Sequence, residues 1–298
     1  MRATDRFRIA SITKTFVATV VLQLVAEGKV RLGDSIERWL PGLVPNGDAI
    51  TIDDLLDHTS GLFNYIENPD FQGAVLADPT RSWSPRELVA FATAHPPLFP
   101  PGTGWSYSNT NYVLLGLVVE AVTGTPIEQQ LRERIFEPLG LDATSFPSRT
   151  AIDGDYAHGY IGPATLPMPA GTLVDITSLL SPTWLWAAGG IVSNGDDVTS
   201  FFAALLGGRL LPRDLLATMR HMAPQSRYGA FQYGLGIERF RTTCGQAYGH
   251  LGDFTGYRTV VYARPNSRRV AVVMVNFDAT RVSWSELEAA AETAFCSH

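Results

Sequence analysis

Ser11-Ile12-Thr13-Lys14 opens an apolar run in which Val17, Val20, Val21, Leu24 and Val25 recur at three- and four-residue steps. That period predicts a buried helix running to about Glu27, with Gly28 as its left-handed C-terminal cap. Residues three apart share a helix face, so Ser11 and Lys14 project together from the first turn, beside the positive end of the helix dipole. A hydroxyl next to an amine that burial partly deprotonates is the minimal kit for a self-activated nucleophile. Two other readings stay open at this point. One is an N-cap followed by a solvated lysine; the other is a signal peptide built on Arg2, Arg6, Arg8 and the apolar residues 16–25. Lys14 inside that run, Asp5 among the arginines and the lack of a small-x-small cleavage site before Glu27 count against the second.

The elements that hold this pair in place come from a chain of 298 residues, 45% apolar and 17% charged, enough to bury a large core in one big domain or two intimate ones. The net charge of −6 and the lack of any Lys/Arg run argue against nucleic acid as a partner. No apolar run reaches the ~18 residues of a membrane span. Thr51 and the acids that follow it read as a helix start. Residues 85–95, 112–122 and 126–136 read as further helices, so residues 30–185 are expected to be mainly helical with long loops. Beyond a helix ending near Leu206, strands are expected at 233–240, 246–251, 257–263 and 270–276, paired antiparallel, before a closing helix over 285–295. The expected division is residues 1–29 with 186–298 as a sheet region, 30–185 as a helical region, and a cleft between them. Asp53, Asp54 and Asp57 read as cap and dipole charges; His58 has no second histidine at ligand spacing, so no metal site and no cofactor are expected.

Two more motifs share the register of the first. Tyr107-Ser108-Asn109 lies on a loop bounded by glycines and prolines, and His250-Leu251-Gly252 ends a strand. In this order, Ser-x-x-Lys, Tyr-x-Asn and His-x-Gly resemble the serine β-lactamase-like superfamily of penicillin-recognising enzymes. Within it the chain looks most like the secreted D-alanyl-D-alanine carboxypeptidases and their class C β-lactamase and esterase relatives. The likeness extends to Leu55-Leu56-Asp57-His58-Thr59-Ser60-Gly61-Leu62, to residues 101–109, to Ala188-Gly189-Gly190 and to Tyr233-Gly234-Leu235-Gly236.

The resemblance implies an α/β (α+β) fold, an antiparallel sheet flanked by helices with a mainly helical insertion. It implies Ser11 as an acylated nucleophile, Lys14 as proton acceptor, and Tyr107 as relay to the leaving group, useful only if a cation lowers its pKa. Asn109 would bond the substrate amide or the lysine, and His250 would support the Tyr107 hydroxyl from the opposite wall. The backbone N–H groups of Ser11 and Asp253 would form the oxyanion hole. Trp184 would be an aromatic cleft wall, with Leu251, Gly252 and Glu238 beside the substrate, whereas His58 reads as structural.

The chain also departs from that pattern. Relatives carry a helix and two strands before the nucleophile, and ten residues precede Ser11. The expectation is a sheet without those strands, with an exposed edge and apolar surface. Leu251 stands where carboxypeptidases and β-lactamases have a hydroxyl residue, and Glu238 where an arginine would hold a terminal carboxylate, unless Arg239 or Arg241 restores it. Cys244 and Cys296 are open to two readings, a pair of buried thiols or a staple of the tail. The resemblance favours the disulfide and with it a secreted protein. The expected activity is that of an acyl-serine hydrolase of the carboxypeptidase or β-lactamase type, monomeric, acting on a small peptide, amide, ester or β-lactam. The alternatives are an esterase, a D-amino-acid amidase or aminopeptidase, and a catalytically weak penicillin-binding module. Lipase-type, nucleotide-phosphate and zinc chemistry lack their motifs.

Overall fold

The computed structural model describes residues 2–162, 172–224, 226–228, 231–277 and 282–297. Its centre is α1 (Ile12–Ala26), which begins behind Ser11 as expected and whose residues 12–22 are buried on every side. Ser11 has helical backbone angles, φ −63° and ψ −9°, and its hydroxyl makes no capping hydrogen bond, so that oxygen stays available. A helix buried all round must satisfy its polar side chains internally. Thr13 Oγ1 accepts from the Ile191 N–H at 3.1 Å, and Thr15 Oγ1 donates to the Gly236 carbonyl at 2.7 Å. Two threonines of one turn, on either side of Lys14, thus tie α1 to two different stretches of chain.

On one side of α1 lie α2 (Ile52–Leu56), α3 (Pro69–Ala77), α4 (Pro85–Thr93) and α5 (Asn109–Thr123), followed by α6 (Ile127–Leu131), a π-helical turn over Arg132–Phe136 and α7 (Glu137–Leu139). Thr51 and Asp54 form a reciprocal capping box on α2, and Gly124 ends α5 in the left-handed region, φ 71°. The short strands β1 (Phe7–Arg8), β2 (Tyr160–Ile161), β3 (Val174–Asp175) and β4 (Val192–Ser193) form the antiparallel pairs β1–β4 and β2–β3. After α8 (Gly195–Leu206) and α9 (Arg213–Met219) come β5 (Arg227–Tyr228), β6 (Phe231–Tyr233), β7 (Glu238–Thr242), β8 (Gly245–Phe254), β9 (Tyr257–Ala263) and β10 (Val270–Val275). These form a six-stranded antiparallel sheet in chain order, on which α10 (Trp284–Cys296) packs. Among the described residues, no single helix is long and apolar enough to cross a membrane.

Three expectations change. The strand expected over 233–240 is two strands, because Gly236 turns the chain at φ 74° between Tyr233 and Glu238. The helices α3 and α9 lack the strong apolar period that marks α1 and went unread. Residues 30–185 are not all helical: Ala157, Ile161 and Ile176 pack with Phe7, Phe254 and Tyr257 on the sheet side. Part of that interval, 163–171, lies outside the described residues.

Two close approaches fix where the sheet and loops meet the helices. A Cβ on Gly252 of β8 would lie 2.4 Å from the Ile9 carbonyl oxygen, so only glycine lets this strand reach the turn before Ser11. A Cβ on Gly116 of α5 would lie 2.7 Å from both Ala187 Cβ and the Trp186 ring, so the turn Trp186–Ala188 lies against that helix. At the far end of the sheet, Cys244 Sγ and Cys296 Sγ are 1.97 Å apart, with Cα atoms 5.7 Å apart. Gly252→Ala is expected to lower unfolding stability by about 1–3 kcal/mol and to slow covalent labelling of Ser11. Urea unfolding with a serine-directed probe reads both, and a variant unchanged in both would show slack between β8 and residue 9.

Candidate active site

The first turn of α1, the loop before α5 and the ends of β7 and β8 converge on a cavity of about 490 Å³. Ser11, Tyr107, Glu238, His250, Leu251 and Asp253 line it, together with Asn64, Glu67, Trp105, Ser106 and Trp284. Lys14 lies beneath, excluded from solvent. Its Nζ is 3.0 Å from Ser11 Oγ, 2.8 Å from Asn109 Oδ1 and 2.7 Å from the Ala188 carbonyl oxygen. It also sits 4.9 Å above the centre of the Tyr107 ring. Burial pushes the Lys14 pKa well below its ordinary 10.5, opposed by the charge of Glu238.

The partners of Lys14 decide which way protons run. A carbonyl oxygen and an amide oxygen only accept, so neutral Lys14 commits its two N–H bonds to Ala188 and Asn109. Its lone pair is then left for the Ser11 hydroxyl. That Asn109 presents oxygen rather than nitrogen is itself fixed from outside. Asn109 Nδ2 and its backbone N–H donate to Asn64 Oδ1, at 3.3 and 3.1 Å, and Asn64 Nδ2 donates to Glu67 Oε1 at 3.0 Å. A carboxylate can only accept, so Glu67 orients both amides. Asn64 and Glu67 carried no motif and were not anticipated.

Tyr107 lines the cavity with Ser11. Burial raises its pKa, and the Ser11 side chain only partly offsets this, so the expected lowering by Lys14 is not found and the hydroxyl is a neutral phenol. His250 is also placed differently from expectation. It lies in the wall, but its Nε2 meets the Tyr233 hydroxyl at 2.9 Å, and its ring centre is 6.4 Å from that of Tyr107. His250 Nδ1 donates to the Leu251 carbonyl at 2.6 Å, which leaves Nε2 as an acceptor for Tyr233. Burial first, and the Lys14 charge second, push the His250 pKa down to about 3, so the imidazole is neutral.

Glu238 is buried within the wall, its Oε2 accepting from the Leu251 N–H at 2.9 Å, and burial raises its pKa. Side chains alternate along a strand, so Arg239 and Arg241 point to the other face, where Arg239 bonds Gln232 of β6. Neither arginine lines the cavity. Trp184 does not line it either. Its ring packs between Phe71 and Phe254, 6.4 and 5.6 Å away, and its carbonyl accepts from the Tyr65 hydroxyl at 2.7 Å. The aromatic walls are Trp105 and Trp284. Gly252 sits against Ile9, and Asp253, the next residue, lines the cavity with Ser11. Among the described residues, no group of three or more His, Cys, Asp or Glu is arranged to hold a metal. The arrangement can accept a proton from Ser11 and hold a second one on Tyr107, which are the needs of acyl transfer.

A family model described as Beta-lactamase matches residues 1–294. Among solved structures, the chain is similar to a D-stereospecific amidohydrolase from Streptomyces sp., with TM-score 0.90 and 39% identity over 98% of this chain and 87% of that one. It is similar to a D-amino acid amidase from Ochrobactrum anthropi SV3 complexed with L-phenylalanine amide, with TM-score 0.82 and 32% identity over 93% of this chain and 78% of that one. A putative penicillin-binding protein, PbpX of Bacillus subtilis (strain 168), is 29% identical over 223 residues, 75% of this chain and 52% of that protein. The chain spans 51%, 52% and 62% of the length of three curated relatives. A family match that covers all but the last few residues, over a fold shared with solved relatives, leaves one assignment: the chain belongs to the Beta-lactamase family, whose members are serine hydrolases.

Proposed function

We propose that the protein is an acyl-enzyme hydrolase that cleaves small amides and esters, with D-amino-acid amides the leading substrate class. The observation that carries this reading is the fixed direction of the Lys14 hydrogen bonds, which leaves its lone pair to Ser11. Ser11 Oγ bonds to the substrate carbonyl carbon while its proton passes to Lys14 Nζ. The backbone N–H groups of Ser11 and Asp253 take the developing oxyanion. The bond to the leaving nitrogen or oxygen then breaks as Tyr107 gives that atom its proton, and Tyr107 regains one from the Lys14 ammonium. Water attacks the acyl-serine with the same groups in reverse, and Ser11 recovers its proton.

The substrate class is supported by charge. Glu67 and Asp253 line the cavity, Glu238 beside them is held toward its uncharged form by burial, and no lysine or arginine is among the lining residues. A leaving group with a free carboxylate would meet carboxyl groups and Leu251 there. The relatives that are amidohydrolases and D-amino acid amidases favour the same reading. The second reading, a D-alanyl-D-alanine carboxypeptidase, needs a cation for that carboxylate. We also propose that Cys244 and Cys296 are disulfide-bonded, tying α10 to the β7–β8 turn, and that the protein works in an oxidising, extracytoplasmic compartment.

The nucleophile is tested with a fluorophosphonate probe and mass spectrometry. Ser11→Ala is expected to abolish labelling with the fold intact, and stoichiometric labelling of that variant would move the role to another serine. Because Lys14 accepts a proton only when neutral, the labelling rate should rise with pH and level off below lysine's ordinary 10.5; a rate still climbing through that value would remove Lys14 as the base. Substrate class is read from kcat/KM for a D-Ala-D-Ala peptide and its C-terminal amide or ester. A carboxylate that loses one charge-assisted hydrogen bond, about 1.5–3 kcal/mol, should be roughly ten- to a hundredfold slower. Preference for the free acid would show a cation reaching the cavity. Thiol counting of oxidised, denatured protein should find no free cysteine, and two free thiols would reject the disulfide.

A further inference from the structure

His58 is buried completely, in a left-handed backbone conformation, φ 69°, that is uncommon outside glycine and found most among asparagine, aspartate and histidine. It lies outside the cavity lining and touches no reacting atom, yet it meets the Tyr107 segment at several points. The Ser106 N–H donates to the His58 carbonyl at 3.1 Å, and the Ser108 N–H donates to His58 Nδ1 at 3.2 Å. Those bonds bracket Tyr107 along the chain. Next to them, Trp105 Nε1 donates to the Asp57 carbonyl at 2.8 Å. The imidazole then packs on the Tyr107 ring, with centroids 4.4 Å apart.

The protonation of His58 follows from its neighbours without reference to solution behaviour. The Ser108 backbone N–H can only donate, so His58 Nδ1 accepts, and Asn111 turns its NH₂ to the same nitrogen, 3.1 Å away. Asn111 Oδ1 then accepts from the Ser60 hydroxyl at 2.7 Å. With Asn111 and Ser108 both donating, Nδ1 carries no proton and Nε2 does. Nε2 is buried and has no hydrogen-bond partner, and the ring is flanked by Tyr107, Tyr233 and Tyr112, with centroids 4.4, 4.6 and 5.4 Å away. Burial and the nearby Lys14 charge lower the His58 pKa, in keeping with the neutral form.

We propose that His58 is the positioning residue for Tyr107, holding that phenol where it can hand its proton to the leaving group. The proposal rests on Tyr107 as the proton relay. A neutral imidazole suits the task because it accepts from the α5 entry on one edge and offers an uncharged face to Tyr107. An imidazolium would lose the Nδ1 acceptor and set a second cation near Lys14.

The test uses leaving groups that differ in their need for a proton. An amide must be protonated as its bond breaks, whereas p-nitrophenolate leaves unaided. His58→Asn tolerates the left-handed backbone and keeps an oxygen acceptor for Ser108 and Asn111, but lacks the ring against Tyr107. His58→Ala lacks both. General acid catalysis contributes about 10²–10⁴-fold, and a misplacement of about 1 Å costs of order 10²-fold. His58→Ala is therefore expected to lower kcat/KM, which reports the acylation step, for a D-amino-acid amide by roughly 30–100-fold and for the p-nitrophenyl ester of the same acyl group by less than about 5-fold. His58→Asn should show the same selective loss at roughly 3–10-fold. Fluorophosphonate labelling of Ser11 should persist in both variants, which separates this proposal from the assignment of the nucleophile. An unchanged amide-to-ester ratio in His58→Asn, or equal losses on both substrates, overturns it. If His58→Ala does not fold, the Asn variant decides alone.

Discussion

An amine shut away from water must be met on every side by hydrogen-bonding groups, and this requirement at Lys14 organises the molecule. Its partners come from separate stretches of chain: the residue before the helix, the start of α5 and the turn that ends at Ala188. Each stretch needs its own means of approach. The turn reaches Lys14 because Gly116 leaves room on α5, and the start of α5 presents an oxygen because Glu67 and Asn64 hold its amide. Thr13 and Thr15, flanking the lysine, bind α1 to the chain at Ile191 and Gly236. The reactive pair thus sits at the junction of the core rather than on a loop.

The same dryness divides the titratable groups. Burial favours uncharged forms, so lysine loses its proton more readily while tyrosine and glutamic acid keep theirs. Lys14, Tyr107 and Glu238 all move in those directions. The outcome is a neutral base beside a neutral proton donor, without any tyrosinate. Carboxylates remain in the wall, where Asp253 faces Arg258 at 3.5 Å and that guanidinium lies over Trp284, 4.3 Å from its ring centre. The charge that a substrate meets is therefore set by groups around the cavity, while the charge that moves is set beneath it.

Much of this was legible in the chain because short-range rules carried it. The apolar period of α1, the β-branched residues of β9 and the glycine ending α5 each point to one local structure, and the structure follows them. The motif residues Ser11, Lys14, Tyr107 and His250 were found as a set because their order is distinctive. What was not legible depends on contacts across the fold. Asn64 and Glu67 look like loop residues until Asn109 lies beside them. Trp184 and Trp105 are equally aromatic on paper, and only packing makes one core and the other wall. His250 was assigned to the wrong tyrosine because nothing local distinguishes Tyr233, on the next strand but one, from Tyr107. The break between β6 and β7 was written in Gly234-Leu235-Gly236, but the apolar neighbours concealed it.

Two imidazoles kept without a proton have a thermodynamic consequence for the whole molecule. An unfolded histidine titrates near 6.5, whereas buried His250 does so at about 3 and His58 also lies well below its ordinary value. Between those limits these two imidazoles take up protons on unfolding, so their own contribution to stability rises with pH across that window and is lost as pH falls through it. They pack against Tyr107 and Tyr233, at the wall of the cavity. Through them acid acts on the tyrosine wall from inside the core, while buried Asp57 and Glu238, whose pKa values burial raises, work in the opposite sense.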